Sequence, residues 1–344
     1  MKRSLLFVTL AAMFASTIVA QPDPDYKPRR LNKAIELLED DQPIFYTGAG
    51  GGGYEQGVKM AQTWADVIMY EMEHGAFDLA NLRQFMQGLA KGGPTKSGHR
   101  LPTVIVTMPV LGYDEAYMRA NSWMVAQILA TGAMGLHLCH ARDPKAIEVF
   151  VAASRYPFER PNIKQLPMEG MRGAGSQNFA SQIWGISPNM YVNVADVWPL
   201  NRKGEIMLGL KIEDKHALAN AEKNTAVPGI AFAEWGPTDQ TMSLIGFSAY
   251  ADTSMPAGRG GDGEGGGGGG GRGGRGNPLV NTDSRLINAR AKVFAAVKAN
   301  HEYFLNSCNV DNVIDMIKEG VRVCTGTEAV AQKGREFTKR KMPW

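Results

Sequence analysis

Glu213, in "LKIED", and Asp239, in "GPTDQT", are 26 residues apart, one strand-helix-strand step, so both can stand at neighbouring strand ends. Two carboxylates with open positions between them make a site for a hard divalent cation such as Mg²⁺ or Mn²⁺, with Co²⁺ a third candidate. Two solvated strand-end acids are the plain alternative. Lys211 precedes Glu213 by two residues and therefore shares its strand face. In "HLCH", His137 and Cys139 share one face while His140 points the other way, so a regular strand cannot turn all three onto one ion. His137 suits the mouth of a site better, as a substrate contact or proton shuttle.

The elements that must position these residues alternate along the chain. "PIFYTGA", "ADVIMYEME", "PTVIVTMP", "MGLHLCH", "EIMLGLKIE", "GIAFAEW", "EYFLNS" and "VRVCTG" read as strands, with helical patterns such as "DEAYMRANSWMVAQILATG", "DPKAIEVFVAASR" and "NVDNVIDMIKEG" between them. Strands this apolar are covered on both faces, as in a parallel α/β protein. Eight is the number that closes a barrel, and in a barrel or an open parallel sheet the chemistry gathers at the carboxyl ends of the strands.

The whole chain narrows the functions. At 344 residues, 44% hydrophobic and 21% charged, it can bury a large core and is not a disordered protein. The net charge is +3, of which Lys2 and Arg3 supply two units, too little to argue for nucleic acid or an anionic membrane. Residues 1–20, "MKRSLLFVTLAAMFASTIVA", have the basic start, apolar middle and small-residue end of a secretory signal peptide, and the apolar run is short for a full span. The expectation is an exported protein, periplasmic or extracellular, with no membrane attachment once the signal is removed. Residues 21–30 read as a linker and residues 31–344 as one barrel domain. Residues 257–278 are so rich in glycine that they read as a flexible insertion; lacking G-K-[ST], they are not a phosphate loop. Cys139, Cys308 and Cys324 are too few for a disulfide framework and read as small core residues.

Residues 48–53, "GAGGGG", satisfy a dinucleotide fingerprint after a strand, with Glu71 about 20 residues on. A run of glycines satisfies almost any glycine pattern, and exported proteins seldom meet free NAD. An NAD(P)-dependent oxidoreductase is therefore a minor reading.

Four stretches in register, "EMEHGAFD", "SRYP" followed by "GMRGAG", "LKIED" and "GPTDQTMSLIG", resemble the HpcH/HpaI aldolase/citrate lyase family over residues 31–343. The resemblance implies a (β/α)8 TIM barrel of the phosphoenolpyruvate/pyruvate-binding type, with Glu213 and Asp239 as metal ligands. It implies a class II, metal-dependent aldolase, a carbon-carbon lyase acting on a pyruvate-like 2-oxo acid through an enolate that the metal stabilises as a Lewis acid. It points to His74 as the base, with Glu71 or Glu73 orienting the imidazole, and to Thr238 as a substrate contact. Arg172 in "GMRGAG" would meet the substrate's carboxylate or a neighbouring chain, or brace its loop. A homo-oligomer, trimer or hexamer, is also implied, and "EAVAQKGREFTKRKMPW" would serve that packing or form a solvated basic tail.

Three departures stand out. Most members carry Asp where Glu71 stands. An arginine of strand three that helps polarise the keto oxygen is absent, Met108 being read at its place. Lys211 holds a position usually taken by glutamine, and is expected to supply the missing charge from another direction, without the flat fork of a guanidinium. An exported binding protein that kept the metal carboxylates but lost turnover is the alternative from a different class. A thioester lyase is disfavoured because coenzyme A is confined to the cytoplasm.

Overall fold

The computed structural model describes residues 22–158, 168–246 and 282–344; the expected signal peptide and the glycine-rich insertion lie outside the described residues. All eight apolar runs form strands: β1 (Ile44–Ala49), β2 (Val67–Glu71), β3 (Thr103–Leu111), β4 (Gly135–Cys139), β6 (Ile206–Lys211), β7 (Phe232–Glu234), β8 (Tyr303–Ser307) and β9 (Val321–Thr325). A two-residue β5 (Val197–Trp198), which no apolar run announces, pairs only with the start of β6. Parallel pairing runs in chain order from β1 to β4, crosses to β6, continues to β9 and returns to β1, so eight strands close a (β/α)8 TIM barrel.

Helices follow the strands on the outside: α2 (Tyr54–Met60), α3 (Leu79–Gly92), α4 (Glu115–Leu129), α5 (Pro144–Ala153), α6 (Gln177–Trp184) and α7 (Pro188–Val194) in the first half, after α1 (Lys33–Glu39). The second half has α8 (Lys215–Ala219), α9 (Ala221–Thr225), α10 (Pro237–Leu244), α11 (Ser284–Ala299), α12 (Val313–Glu319) and α13 (Glu328–Phe337). Several start just above a strand end on an aspartate that accepts a backbone N–H of the first turn: Asp78 from Asn81, Asp114 from Tyr117, and Asp214 from His216 and Ala217. These caps fix where each loop over the barrel mouth ends.

Strand pleating sorts the apolar side chains into two layers. Val67, Met69, Ile105, Met207, Phe232, Leu305 and Val323 point inward and meet Ile35 and Leu38 of α1, which plugs the base. Ile68, Val104, Val106, Leu136, Leu208 and Leu210 point outward against the helices. Gly209 is required inside: a Cβ there would come within 2.2 Å of the Phe232 ring, which lies across β6 as the floor beneath the mouth. The same alternation corrects the reading of strand three. Met108 belongs to the outer apolar layer, and Thr107 is the residue that β3 turns to the mouth. The arginine is still missing, but threonine stands at the inward position.

The base is closed by charge. Asp66, fully buried before β2, lies 3.1 Å from the Lys33 ammonium and pairs with Arg335 and, through both oxygens, with Arg340. Burial would raise its pKa, but these three cations hold it well below the carboxylate range. Arg335 and Arg340 of the basic end are thus a buried clamp on the barrel base, while Lys339 and Lys341 are exposed.

Residues 22–30, which read as a linker, carry no regular element but are packed on the same end. Glu36 accepts the Tyr26 hydroxyl and the backbone N–H groups of Arg29 (2.9 Å) and Arg30 (3.0 Å), and lies 3.3 Å from His99 Nε2. Burial works to raise its pKa, but these donors bring it down to about 2. The folded value lies below the unfolded one of about 4.3, so this stabilisation is complete above the unfolded pKa and is lost as pH falls through the folded one. Thermal melts should show the Tm deficit of Glu36→Gln narrowing against wild type between about pH 5 and pH 2.5. A deficit constant over that range would contradict the assignment.

Candidate active site

A cleft of about 320 Å³ opens at the carboxyl ends of the strands, lined by Glu71, His74, Thr107, His137, Lys211, Glu213, Glu234, Thr238 and Asp239. Glu213 follows β6 and is fully buried. Its Oε1 accepts the His140 backbone N–H at 2.9 Å, while Oε2 has no hydrogen-bond partner and faces the Lys211 ammonium at 3.0 Å. Asp239 reaches the same cleft from the first turn of α10. That helix is tied to the end of β6 by Gln240 Nε2, which donates to the Ile212 carbonyl at 3.0 Å, and by Ser243 Oγ, which accepts the Lys215 N–H at 3.0 Å.

The Gly-Pro break explains how the acid gets there. Gly236 has φ +49°, and a Cβ on it would lie 2.4 Å from Glu213 Cβ and 3.1 Å from Oε2. Only glycine lets the chain turn directly over the buried carboxylate, and Pro237 then starts the helix that carries Asp239. Burial first, then the Glu73 and Asp239 charges, raise the Glu213 pKa against the opposing Lys211 ammonium. A hard divalent cation fits these residues: a buried carboxylate oxygen without a hydrogen bond, a second carboxylate lining the same cleft, and a glycine that leaves room above the oxygen.

Lys211 stands on the Glu213 face of β6, as its spacing requires, and its ammonium also meets Glu73 Oε2 at 2.6 Å. Burial works against its charge, yet the surrounding acids hold its pKa well above the ordinary lysine value. One ligand atom each from Glu73, Cys139 and Glu213 lies within 4.8 Å of the others, a further acidic cluster able to hold a metal. Glu73 is the acid beside His74, 3.4 Å from Nε2. Glu71 instead accepts the backbone N–H groups of Glu73 (2.5 Å) and His74 (3.0 Å), so it shapes the loop rather than orienting the imidazole. The His74 side chain is 71% exposed at the rim.

No protein-family model matches the sequence, and no curated protein matches it either. Solved structures do. An HpcH/HpaI aldolase/citrate lyase family protein from Burkholderia cenocepacia J2315 aligns with a TM-score of 0.61 at 17% identity, over 87% of this chain and 94% of that one. The HpcH/HpaI aldolase from Desulfitobacterium hafniense DCB-2 aligns at 0.56 and 16% identity, over 86% and 91%. Macrophomate synthase aligns at 0.56 and 16%, over 92% and 91%. The fold is that of the HpcH/HpaI aldolases.

Within this barrel, the strand-end residues Lys211, Glu213, His137, Thr238 and Asp239 share one cleft, and Arg172 is elsewhere. Its guanidinium is buried over the Tyr156 and Tyr191 rings and donates to the Tyr191 hydroxyl at 3.1 Å, which is the bracing role. His137 lies on the cleft floor, its pKa pushed down to about 3 by burial and then by Lys211, so the ring is neutral. Its Nε2 has no hydrogen-bond partner and is 3.8 Å from Glu234 Oε2. Glu234 escapes the sequence reading; burial, opposed by Lys211 and aided by Glu213 and Glu73, pushes its pKa up to about 7. The signal was present, since Glu234 is the one acid of the apolar run "GIAFAEW"; the structure sets it in register with Lys211. His140 leaves β4 with φ +45° and sends Nδ1 to Asp214 at 2.9 Å, away from any ion shared with His137. The glycine run at residues 48–53 begins in β1 of a closed barrel, so the open doubly wound sheet that a dinucleotide fingerprint needs is not there. Among the described residues no helix is long and apolar enough to cross a membrane.

Proposed function

We propose that this protein is a divalent-metal-dependent carbon-carbon lyase, an aldolase, acting on a pyruvate-like 2-oxo acid. The observation that carries the reading is the buried Glu213 Oε2, which makes no hydrogen bond and is met by the Lys211 ammonium at 3.0 Å, in a cleft at the carboxyl end of the barrel that Asp239 also lines. Mg²⁺ or Mn²⁺, which Glu213 and Asp239 would hold, would supply Lewis-acid stabilisation for negative charge on the keto oxygen. Everything else is done by the chain. Lys211 puts a second positive charge beside that oxygen, in place of an arginine on β3. Glu73, 3.4 Å from His74 Nε2, would favour the tautomer that leaves Nδ1 to take and return the proton exchanged at the carbon being cleaved. Neutral His137, backed by the Phe232 ring, floors the cleft, and Thr238 contacts the substrate at its rim. The volume suits a small acid. The aldolase and synthase names of the structural neighbours support the same class of chemistry, and an exported homo-oligomer belongs to the same reading.

Exchange of pyruvate methyl protons in D2O tests it. Exchange should require Mn²⁺ or Mg²⁺ and fall about 10²–10⁴-fold in His74→Gln. Exchange that is absent with every divalent cation would remove the lyase reading in favour of a binding protein on the same barrel.

A further inference from the structure

The Lys211 ammonium sits where a cation would sit. It lies 3.0 Å from the Glu213 oxygen that has no hydrogen bond and 2.6 Å from Glu73 Oε2, and its side chain is only 12% exposed. Both carboxylates belong to the acidic cluster with Cys139, whose ligand atoms all lie within 4.8 Å. The ammonium therefore neutralises the charge that would attract a metal. A divalent ion on Glu213 Oε2 sits at about 2.1 Å from the oxygen, and an ammonium 3.0 Å from the same oxygen would be close enough to repel it strongly in a site this buried.

We propose that Lys211 is a built-in competitor of the metal: its ammonium occupies the cation seat on Glu213, and an entering divalent ion displaces it toward Glu73 and the open cleft. This rests on the metal-dependent reading above and adds an order of events to it. The side chain has somewhere to go, because Glu73 already holds it at the shorter distance and Glu234 lies in register on the adjacent strand. Displaced from Glu213, the ammonium becomes available to a substrate carboxylate or keto oxygen. Metal loading thus prepares the substrate site, and metal binds before substrate. Lys211 acts here as a positioning residue whose effect appears in metal affinity without any turnover.

Calorimetric titration of the full-length protein with Mn²⁺, no substrate present, tests this. Lys211→Met and Lys211→Gln should each bind Mn²⁺ about ten-fold more tightly than wild type or better, within the range usual for coupling between two ligands. Glu73→Gln, which throws the ammonium wholly onto Glu213, should weaken Mn²⁺ binding by a similar factor. The two Lys211 variants back each other up should one fail to fold. Equal Mn²⁺ affinity in wild type and either folded Lys211 variant overturns the competition while leaving the metal reading intact. Failure of wild type and all variants to bind Mn²⁺ overturns both.

Discussion

Glu213→Gln leaves the barrel folded and removes metal binding and turnover together. The substitution keeps the side-chain volume, and its carbonyl oxygen can still accept the His140 backbone N–H that Oε1 accepts at 2.9 Å. What it destroys is Oε2, the buried oxygen with no hydrogen-bond partner. An NH2 group in that place offers a donor where both Lys211 and a metal need an acceptor. If the metal supplies several kcal/mol of transition-state stabilisation, kcat/KM should drop by about 10³-fold or more. Far-ultraviolet circular dichroism and Tm should stay close to wild type, because the Lys211 ammonium keeps its shorter pair with Glu73 at 2.6 Å. Retained turnover in a folded Glu213→Gln protein would show that the chemistry does not pass through this carboxylate.

Asp66→Asn has its effect at the other end of the barrel, on stability. Lys33, Arg335 and Arg340 are all nearly inaccessible to solvent and share this single carboxylate. Without its charge, three buried cations face an amide and a few backbone carbonyls such as those of Pro43 and Trp64. Breaking a buried ion pair by removing one partner costs about 3–5 kcal/mol, a large part of the 5–15 kcal/mol by which native domains are stable. The expected drop in Tm is on the order of 10 °C, with proton exchange at low temperature unchanged because the cleft lies at the opposite end. A Tm within about 2 °C of wild type would mean that the clamp carries little net stability.

The sequence and the structure agree where a local rule decides the outcome. Inward and outward alternation puts Lys211 and Glu213 on one face of the chain at the end of β6, and the distance of 3.0 Å between ammonium and carboxylate is that rule made visible. All eight barrel strands were legible for the same reason, each being an apolar run bounded by turn residues. The Lys211–Glu73 pair was not legible, since 138 residues separate the partners and only closure of the barrel brings them together. The error at Met108 has a local cause: shifting the register by one residue exchanges the inward and outward faces of β3, and Thr107 takes the inward place. The basic C-terminal stretch misleads because charge alone suggests solvent. Arg335 and Arg340 are buried by a carboxylate that lies roughly 270 residues earlier.

The most direct test of the shared grip of Glu213 and Asp239 on one ion is a crystal structure of the protein with Mn²⁺ and oxamate, read by anomalous scattering. A single Mn²⁺ peak within about 2.2 Å of Glu213 Oε2 and of an Asp239 oxygen is predicted, with oxamate completing the coordination and Lys211 turned off Glu213. A peak that touches only one of the two carboxylates, or no peak at saturating Mn²⁺ with Lys211 still on Glu213, would contradict it.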